Sequence, residues 1–371
     1  MDVMKADVVI VGAGIIGMLT ARELVAAGYS VMLLERGKPA RESSWAGGGI
    51  LSPLYPWRYP DSVNELARRS QQIYPVLAEA LLEESGIDPE FERSGLLMTD
   101  VEDRNDAQSW AKRYNMPLQS VDKIMAQEIE PQLATQFENA LWMPTVGQIR
   151  NPRMTRALRV ALERQGATFC QDTEVLGWRS SGGQVRAALT ANGEVSAATF
   201  VVATGAWTAG LLEETGLTLP IQPVRGQMIL FRGPPGLVRR ITLHNGRYVI
   251  PRRDGRVLFG STLEYTGFEK CTTQEALDDL SQSAFSLMPV LADLPVECHW
   301  AGLRPGTPDG VPVIGVHPEL SNLFVCAGHF RNGVVLGPAS ARLLADQITR
   351  GQSEIDITAY LPGVVSEKPA D

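Results

Sequence analysis

Two rhythms of apolar and polar residues run through this chain. Asp7 to Val11 is apolar after its first residue and breaks at Gly12. From Ile15 to Ala27 apolar residues recur at helical spacing, and Gly28 closes the stretch. Ser30 to Glu35 is a second apolar run that ends on an acid. Short continuous apolar runs suit strands buried on both faces. Strand, helix, strand within about 30 residues predicts a βαβ unit with a parallel sheet.

Gly37 to Pro60 is rich in Gly, Ser and Pro and predicts a structured loop. Helical periodicity returns over Ser62 to Ser85 and Asp103 to Tyr114. Asn151 and Pro152 suggest an N-cap followed by proline at the first helical position, with the helix stopping at Gly166. Strands are expected over Ala167 to Leu176, Val185 to Thr190 and Val195 to Thr204, with a hairpin turn at Asn192-Gly193. Gln227 to Phe231, Ile241 to Leu243, Tyr248 to Arg252 and Val257 to Ser261 read as an antiparallel meander, with a turn at Asp254-Gly255. A last helix is expected from near Gly333 to near Thr349.

These segments alternate, with α/β pieces at the beginning, middle and end. Between them fall one helical insert and one antiparallel block. The fold expected is therefore α/β with an α+β substrate part: a Rossmann-like nucleotide domain in discontinuous pieces and a substrate domain on an antiparallel sheet. The boundaries assigned are 1–88, 147–220 and 303–364 for the first domain and 89–146 and 221–302 for the second. Residues 365–371 form a flexible tail. A length of 371 residues suits two intimately packed domains.

Composition narrows the function classes. Hydrophobic content of 44% and charged content of 20% argue against disorder. A net charge of -8 disfavours nucleic acid and anionic membrane as partners. The pairs Arg68-Arg69, Arg239-Arg240 and Arg252-Arg253 are too scattered to form a basic patch. Cys170, Cys271, Cys298 and Cys326 show neither CxxC pairing nor zinc spacing, so reduced thiols are expected. The apolar stretch Val8 to Leu19 is broken by glycines and lacks the flanks of a signal peptide. A cytoplasmic enzyme without stable membrane association is the expectation.

The chemistry begins at Gly12-Ala13-Gly14-Ile15-Ile16-Gly17. The first glycine permits the tight turn, the second lets backbone approach a pyrophosphate, and the third lets helix and strand pack closely. The helix N-terminus then offers free N–H groups to phosphate. Glu35 stands about 20 residues on, where a ribose-binding acid belongs. The bland alternative is a glycine turn in an ordinary βαβ unit.

Four further stretches carry a resemblance. They are Ser43 to Gly49, Phe200 to Trp207, Gly302 to Gly315 and Ala327 to Gly333. In this order they are similar to the glycine oxidase and D-amino-acid oxidase family of flavoproteins, which includes sarcosine oxidases. Within it the chain resembles the glycine oxidases of bacterial thiamine biosynthesis, a likeness that Pro53 to Trp57 strengthens.

The resemblance implies FAD held non-covalently. Gly12, Ala13, Gly14, Ile15, Ile16, Gly17, Glu35 and Arg36 would hold its ADP half. Ser43, Ser44, Ala46, Gly47 and Gly48 would line the loop beside pyrophosphate and flavin. Val175 would meet the adenine through its backbone. Ala203, Gly205 and Trp207 would make a second contact, and Gly328, Arg331, Asn332, Gly333 and Val334 would cap the flavin at the last helix. Tyr248 and Arg304 would be the catalytic pair that holds a substrate carboxylate, with Leu263, Gly49 and Arg331 completing the pocket. Sarcosine oxidases attach flavin to a cysteine, but Arg304 to Val316 contains none, and Cys326 ends an expected strand.

Arg304 has a structural alternative, an ion pair with Asp309 or Glu297, and Tyr248 could be a core tyrosine bonded to backbone. The four histidines show no metal-binding spacing; His329 alone lies in a motif expected to face flavin. The implied activity is oxidative deamination of glycine, small amines or D-amino acids, with O2 as acceptor, in a homo-oligomer (dimer or tetramer). Rivals are a D-amino-acid dehydrogenase passing electrons to a quinone or carrier, a tRNA-directed flavin enzyme, and an NAD-binding Rossmann protein.

Overall fold

The computed structural model describes residues 5–134 and 136–363. The expected tail, 365–371, lies outside the described residues. The N-terminal unit is β1 (Lys5–Val11), α1 (Ile15–Ala26) and β2 (Val31–Leu34), paired in parallel as the apolar runs predict. Next come a single helical turn α2 (Ser43–Ala46) and the long α3 (Asp61–Ser85). The following insert holds β3 (Leu96–Thr99), α4 (Arg104–Tyr114), β4 (Gln119–Asp122), α5 (Lys123–Ile129) and β5 (Asn139–Met143). Returning to the first domain are α6 (Asn151–Arg164), β6 (Thr168–Cys170), β7 (Val175–Ser181), β8 (Gln184–Thr190), β9 (Gly193–Val202) and α7 (Thr208–Glu213). Then follow β10 (Gln222–Arg232), β11 (Ile241–His244), β12 (Arg247–Pro251), β13 (Arg256–Gly260), α8 (Gln274–Leu287) and β14 (Val296–Gly306). The chain closes with β15 (Val313–Val316), β16 (Leu323–Ala327) and α9 (Gly333–Arg350).

In the first sheet β16, β9, β1, β2 and β6 run parallel, and β15 is an antiparallel edge. Alternate residues of β1 enter two separate cores. Val8 and Ile10 meet Met18, Leu66, Leu158 and Leu336 of the helices on one face. Val9 and Val11 meet Val175, Val185 and Leu212 on the other, where β7, β8 and β9 form an antiparallel layer. Both faces are dry, which is why the strand reads as one apolar run.

The second sheet has the order β14-β10-β13-β12-β11-β3-β5-β4 among the described residues. Its faces also divide by parity. Val249 packs with Phe231, Phe259 and Leu280 under α8. Tyr248 and Ile250 point the opposite way, with Met228, Met98 and Leu141.

Several expectations change here. The insert 89–146 is not simply helical, because β3, β4 and β5 extend the antiparallel block into one continuous sheet. These strands are only four or five residues long, too short to show a period. The meander is β11, β12, β13; β10 joins beyond β13 rather than beside β11. The strand expected over Ala167 to Leu176 is two strands, β6 and the start of β7, separated by a turn in which Asp172 has φ 53°. The turn between β8 and β9 sits at Ala191-Asn192, with Gly193 already paired to Thr190. Asn151 is the first residue of α6 and makes no cap; its amide is buried without a protein partner. Finally, β14 runs unbroken through the assigned 302/303 boundary and pairs along its length with β10 of the second sheet.

Candidate active site

One long cavity of about 530 Å³ runs from the glycine turn after β1 to the face of the second sheet. At its first end the wall is mainly backbone. A Cβ on Gly17 would lie 2.0 Å from the carbonyl oxygen of Gly12, and one on Gly12 would lie 2.5 Å from that of Ala203. Strand and helix are therefore as close as backbone permits, and α1 opens at the cavity wall. The N–H of Ile15 donates to Ser44 Oγ at 2.9 Å, and Glu35 accepts from the N–H groups of Ala13 and Gly37. Arg36 lies over the Trp207 ring at 3.6 Å and pairs with Glu42. Trp207 stacks on Phe268 at 5.5 Å, and Lys270 bonds Glu42, so the segment after β13 reaches this end of the cavity.

The other end is built from β10, β12, β14 and the start of α9. Arg304 projects from β14 across Gly226 of β10. A Cβ on Gly226 would lie 2.2 Å from the guanidinium nitrogens, so glycine makes the space for that group. Arg304 donates to Ser261 Oγ at 2.6 Å and to the Thr262 carbonyl at 3.2 Å. Neither suggested ion pair forms: Glu297 holds Arg256, and Asp309 accepts from the N–H of Val311. Burial pulls the Arg304 pKa down, Tyr248 opposes this, and Arg331 adds to it. The Tyr248 hydroxyl is not tied to backbone; its contact is Met228 Sδ at 3.9 Å.

Most of the sequence-predicted residues converge on this cavity. Gly12, Gly14, Ile15, Ile16, Glu35, Arg36, Ser43, Ser44, Gly47, Gly48, Gly49, Val175, Ala203, Gly205 and Trp207 line it. So do Tyr248, Arg304, Arg331, Asn332, Gly333 and Val334. Ala13, Gly17, Ala46 and Gly328 sit behind the lining. Ala46, for example, accepts from the Trp300 indole and touches β14 at Gly302. Leu263 is not brought in; its side chain is 45% exposed and outside the lining.

Several lining or supporting residues carried no expectation. Gly226 gave little signal, because it stands between Arg225 and Gln227, just before the strand expected at Gln227. Phe268 and Met228 had none, because their roles depend on strands far apart in sequence, and Arg252, expected as solvated surface with Arg253, is instead buried.

His329 lies in the lining, and burial pushes its pKa down to about 3. Its imidazole is therefore neutral. Cys326 also borders the cavity, and burial pushes its thiol up, so a nucleophilic thiolate is disfavoured.

These residues fit FAD. The cavity is elongated, its first wall is a backbone cradle at a helix N-terminus, and its other wall is the start of α9. The Asn332 amide nitrogen and His329 Nε2 are buried there without a protein partner, as groups awaiting a polar ligand would be. Among the described residues no helix is long and apolar enough to cross a membrane.

Comparison with known proteins agrees with this geometry. The family described as FAD dependent oxidoreductase matches residues 7–347. The chain is 48% identical over 360 residues to a glycine oxidase of Pseudomonas aeruginosa, covering 97% of this chain and 99% of that one. It is 31% identical to a bifunctional protein ThiO/ThiG of Trichormus variabilis, covering 95% of this chain and 54% of that longer one. The crystal structure of glycine oxidase from Geobacillus kaustophilus superposes with a TM-score of 0.91 at 32% identity, over 96% of this chain and 98% of that one.

Proposed function

This chain belongs to the FAD dependent oxidoreductase family, and on that premise we propose that it oxidises glycine, and with it other small amines or D-amino acids, to the oxo acid. The observation that carries the reading is Arg304. It is a guanidinium at the cavity wall with only neutral oxygens as partners, and it stands beside the Tyr248 hydroxyl. A free amino acid brings the missing carboxylate. Two parallel N–H bonds from Arg304 and one O–H bond from Tyr248 would hold it.

Bound FAD supplies the two-electron acceptor for the substrate's α C–H bond, and O2 takes the electrons onward to give hydrogen peroxide. The chain's own share is placement. Anchoring the carboxylate at one end leaves the α-carbon little freedom to turn away from the cavity floor. The amine must be neutral to react, and no carboxylate base is needed for that; its proton leaves to water. His329, held neutral by burial, adds no positive charge that would repel an ammonium substrate on entry. Asn332 and Gly333 at the start of α9 would hold one end of the cofactor, and the helix's partial positive charge would favour negative charge gained there. The product imine takes up water and gives glyoxylate and ammonia when glycine is the substrate.

The likeness to one part of a longer ThiO/ThiG protein supports a role in thiazole formation for thiamine biosynthesis. The family likeness also supports a cytoplasmic homo-oligomer, dimer or tetramer, whose size light scattering would read. A peroxide assay in air, without added acceptor, tests the reaction on glycine, sarcosine, D-alanine, D-proline and their L-counterparts. Peroxide with glycine is the expected result. Turnover only with an added quinone or dye would make the protein a dehydrogenase, and no turnover of any of these substrates would overturn the reading.

A further inference from the structure

Arg252 lies one residue beyond β12 and is 7% exposed. Its guanidinium donates to the carbonyl of Gly48 at 2.6 Å, to Gln148 Oε1 at 2.8 Å and to the carbonyl of Ile149 at 3.2 Å. All three acceptors are neutral. A buried guanidinium without a carboxylate is a costly thing to keep in a core, so what it binds is informative.

Its acceptors join two segments at the cavity. Gly48 lies in the loop that lines the cavity, and Ile149 precedes α6. The two segments already touch: the N–H of Ile149 donates to the Gly49 carbonyl at 2.9 Å. A Cβ on Gly49 would lie 2.0 Å from the Ile149 oxygen, so only glycine fits, and its φ is +79°.

Parity along the strand completes the picture. Tyr248, Ile250 and Arg252 are two residues apart, so their side chains leave the same face. All three reach Gly48. A Cβ there would lie 2.5 Å from Ile250 Cδ1 and 3.3 Å from Tyr248 Cε2, while Arg252 bonds its carbonyl. The glycine loop is thus gripped by one strand at three points, and one of the three is the tyrosine that faces substrate.

We propose that Arg252 is a positioning residue for the reaction: its three-acceptor fork locks the Gly48 loop to β12 and so fixes the Tyr248 hydroxyl at the spacing from Arg304 that a carboxylate needs. This rests on the carboxylate reading of Tyr248 and Arg304. A lysine at 252 keeps the charge but has one nitrogen, which cannot span three acceptors in a fixed plane.

The test uses the FAD-loaded protein with Arg252→Lys and Arg252→Met, and acetate as the carboxylate probe. Acetate affinity is read from the flavin absorption change, FAD affinity from fluorescence, and glycine KM and kcat from peroxide release. Leu280→Ala, on the buried face of α8 and outside the cavity lining, serves as a variant destabilised without contact to the site. Both Arg252 variants are expected to weaken acetate by about tenfold, the scale of one lost charge-assisted contact. Glycine KM should rise in step while FAD affinity stays close to wild type and Leu280→Ala leaves acetate binding unchanged. Wild-type acetate affinity in Arg252→Met, full rescue by Arg252→Lys, or an equal loss in Leu280→Ala would each overturn the proposal. If the wild-type protein itself neither binds acetate nor oxidises glycine, the carboxylate reading falls first and takes this one with it.

Discussion

At the β1–α1 end of the cavity the wall is backbone; at the Tyr248–Arg304 end it is side chain. The first end comes largely from neighbours in sequence, Gly12 to Gly17 with Glu35 and Arg36. The second draws Gly226, Tyr248, Arg304 and Arg331 from four separate elements or their edges. A nucleotide's phosphates can be held by N–H groups that every residue has, provided that no Cβ is in the way. A small carboxylate needs one particular side chain at one particular distance. The first end should therefore fail through bulk and lose cofactor. The second should fail through lost chemistry and keep it.

The largest effect expected is at Gly17. With its Cβ position 2.0 Å from the Gly12 oxygen, both partners are backbone and neither can rotate aside. Gly17→Val should push α1 off β1 and lower FAD affinity by at least about a thousandfold, roughly 4 kcal/mol. Flavin-to-protein absorbance after desalting reads this directly. A yellow, stoichiometric Gly17→Val protein would erase the distinction between the two ends.

Next is Arg304→Ala. Removing the guanidinium should cut kcat/KM for glycine by about 10²–10³, a few kcal/mol, chiefly through KM. Flavin content should match wild type, because Arg304 bonds only Ser261, Thr262 and Arg225. Loss of flavin in Arg304→Ala would show that the two ends are not separable.

The same contrast explains what the sequence discloses. The βαβ unit is legible because each of its parts has a local cause: buried strands read as apolar runs, and the cradle reads as glycines at fixed spacing. α9, α3 and α6 are legible through their periods, to within a residue or two. By contrast, β3, β4 and β5 each span four or five residues, and their partners lie far along the chain, so the insert was expected to be helical. Tyr248 and Arg304 were reached through family resemblance, not through any local signal. Leu263 was expected by the same route, yet it is half exposed. Leu263 lies beyond the end of β13, and Arg304 meets that segment one residue earlier, through the backbone carbonyl of Thr262. Arg252 looked like half of a surface Arg-Arg pair; only β12 packing on the glycine loop buries it.

A smaller effect is expected at His329, which lies where the two ends meet. Burial holds its pKa near about 3 in the folded chain, against about 6.5 when unfolded. Between these values the unfolded chain binds a proton that the folded chain refuses. The stability linked to His329 is therefore complete above about pH 6.5 and is lost as pH falls toward 3, at up to about 1.4 kcal/mol per pH unit. His317 adds to the trend: burial lowers its pKa, and its Nδ1 accepts from the N–H groups of Glu319 and Leu320. His329→Gln should remove one proton's share of the slope. Urea midpoints from pH 7 to 4.5 measure it, and an unaltered slope would mean that His329 is protonated or exposed in the folded state.

The smallest effect sharpens the comparison most. Phe268 and Lys270 belong to the substrate side of the chain, yet they reach across to Trp207 and Glu42 at the nucleotide end. Here side chains from the second sheet's side of the chain add to a backbone cradle that Ser44 and Glu35 already brace. Phe268 is 54% exposed, so its stacking with Trp207 works partly against water and is worth about 0.5–1.5 kcal/mol at most. Phe268→Ser should therefore speed FAD release by only a few-fold, about 2 to 10. Glycine KM should not move, since the ring Phe268 stacks on is Trp207, at the nucleotide end of the cavity. Stopped-flow release of FAD into an excess of a competing apoflavoprotein gives the rate. If KM rises with the release rate, the bridging segment couples the two ends, and cofactor hold and substrate hold are one property; if only release changes, backbone and side-chain walls work independently.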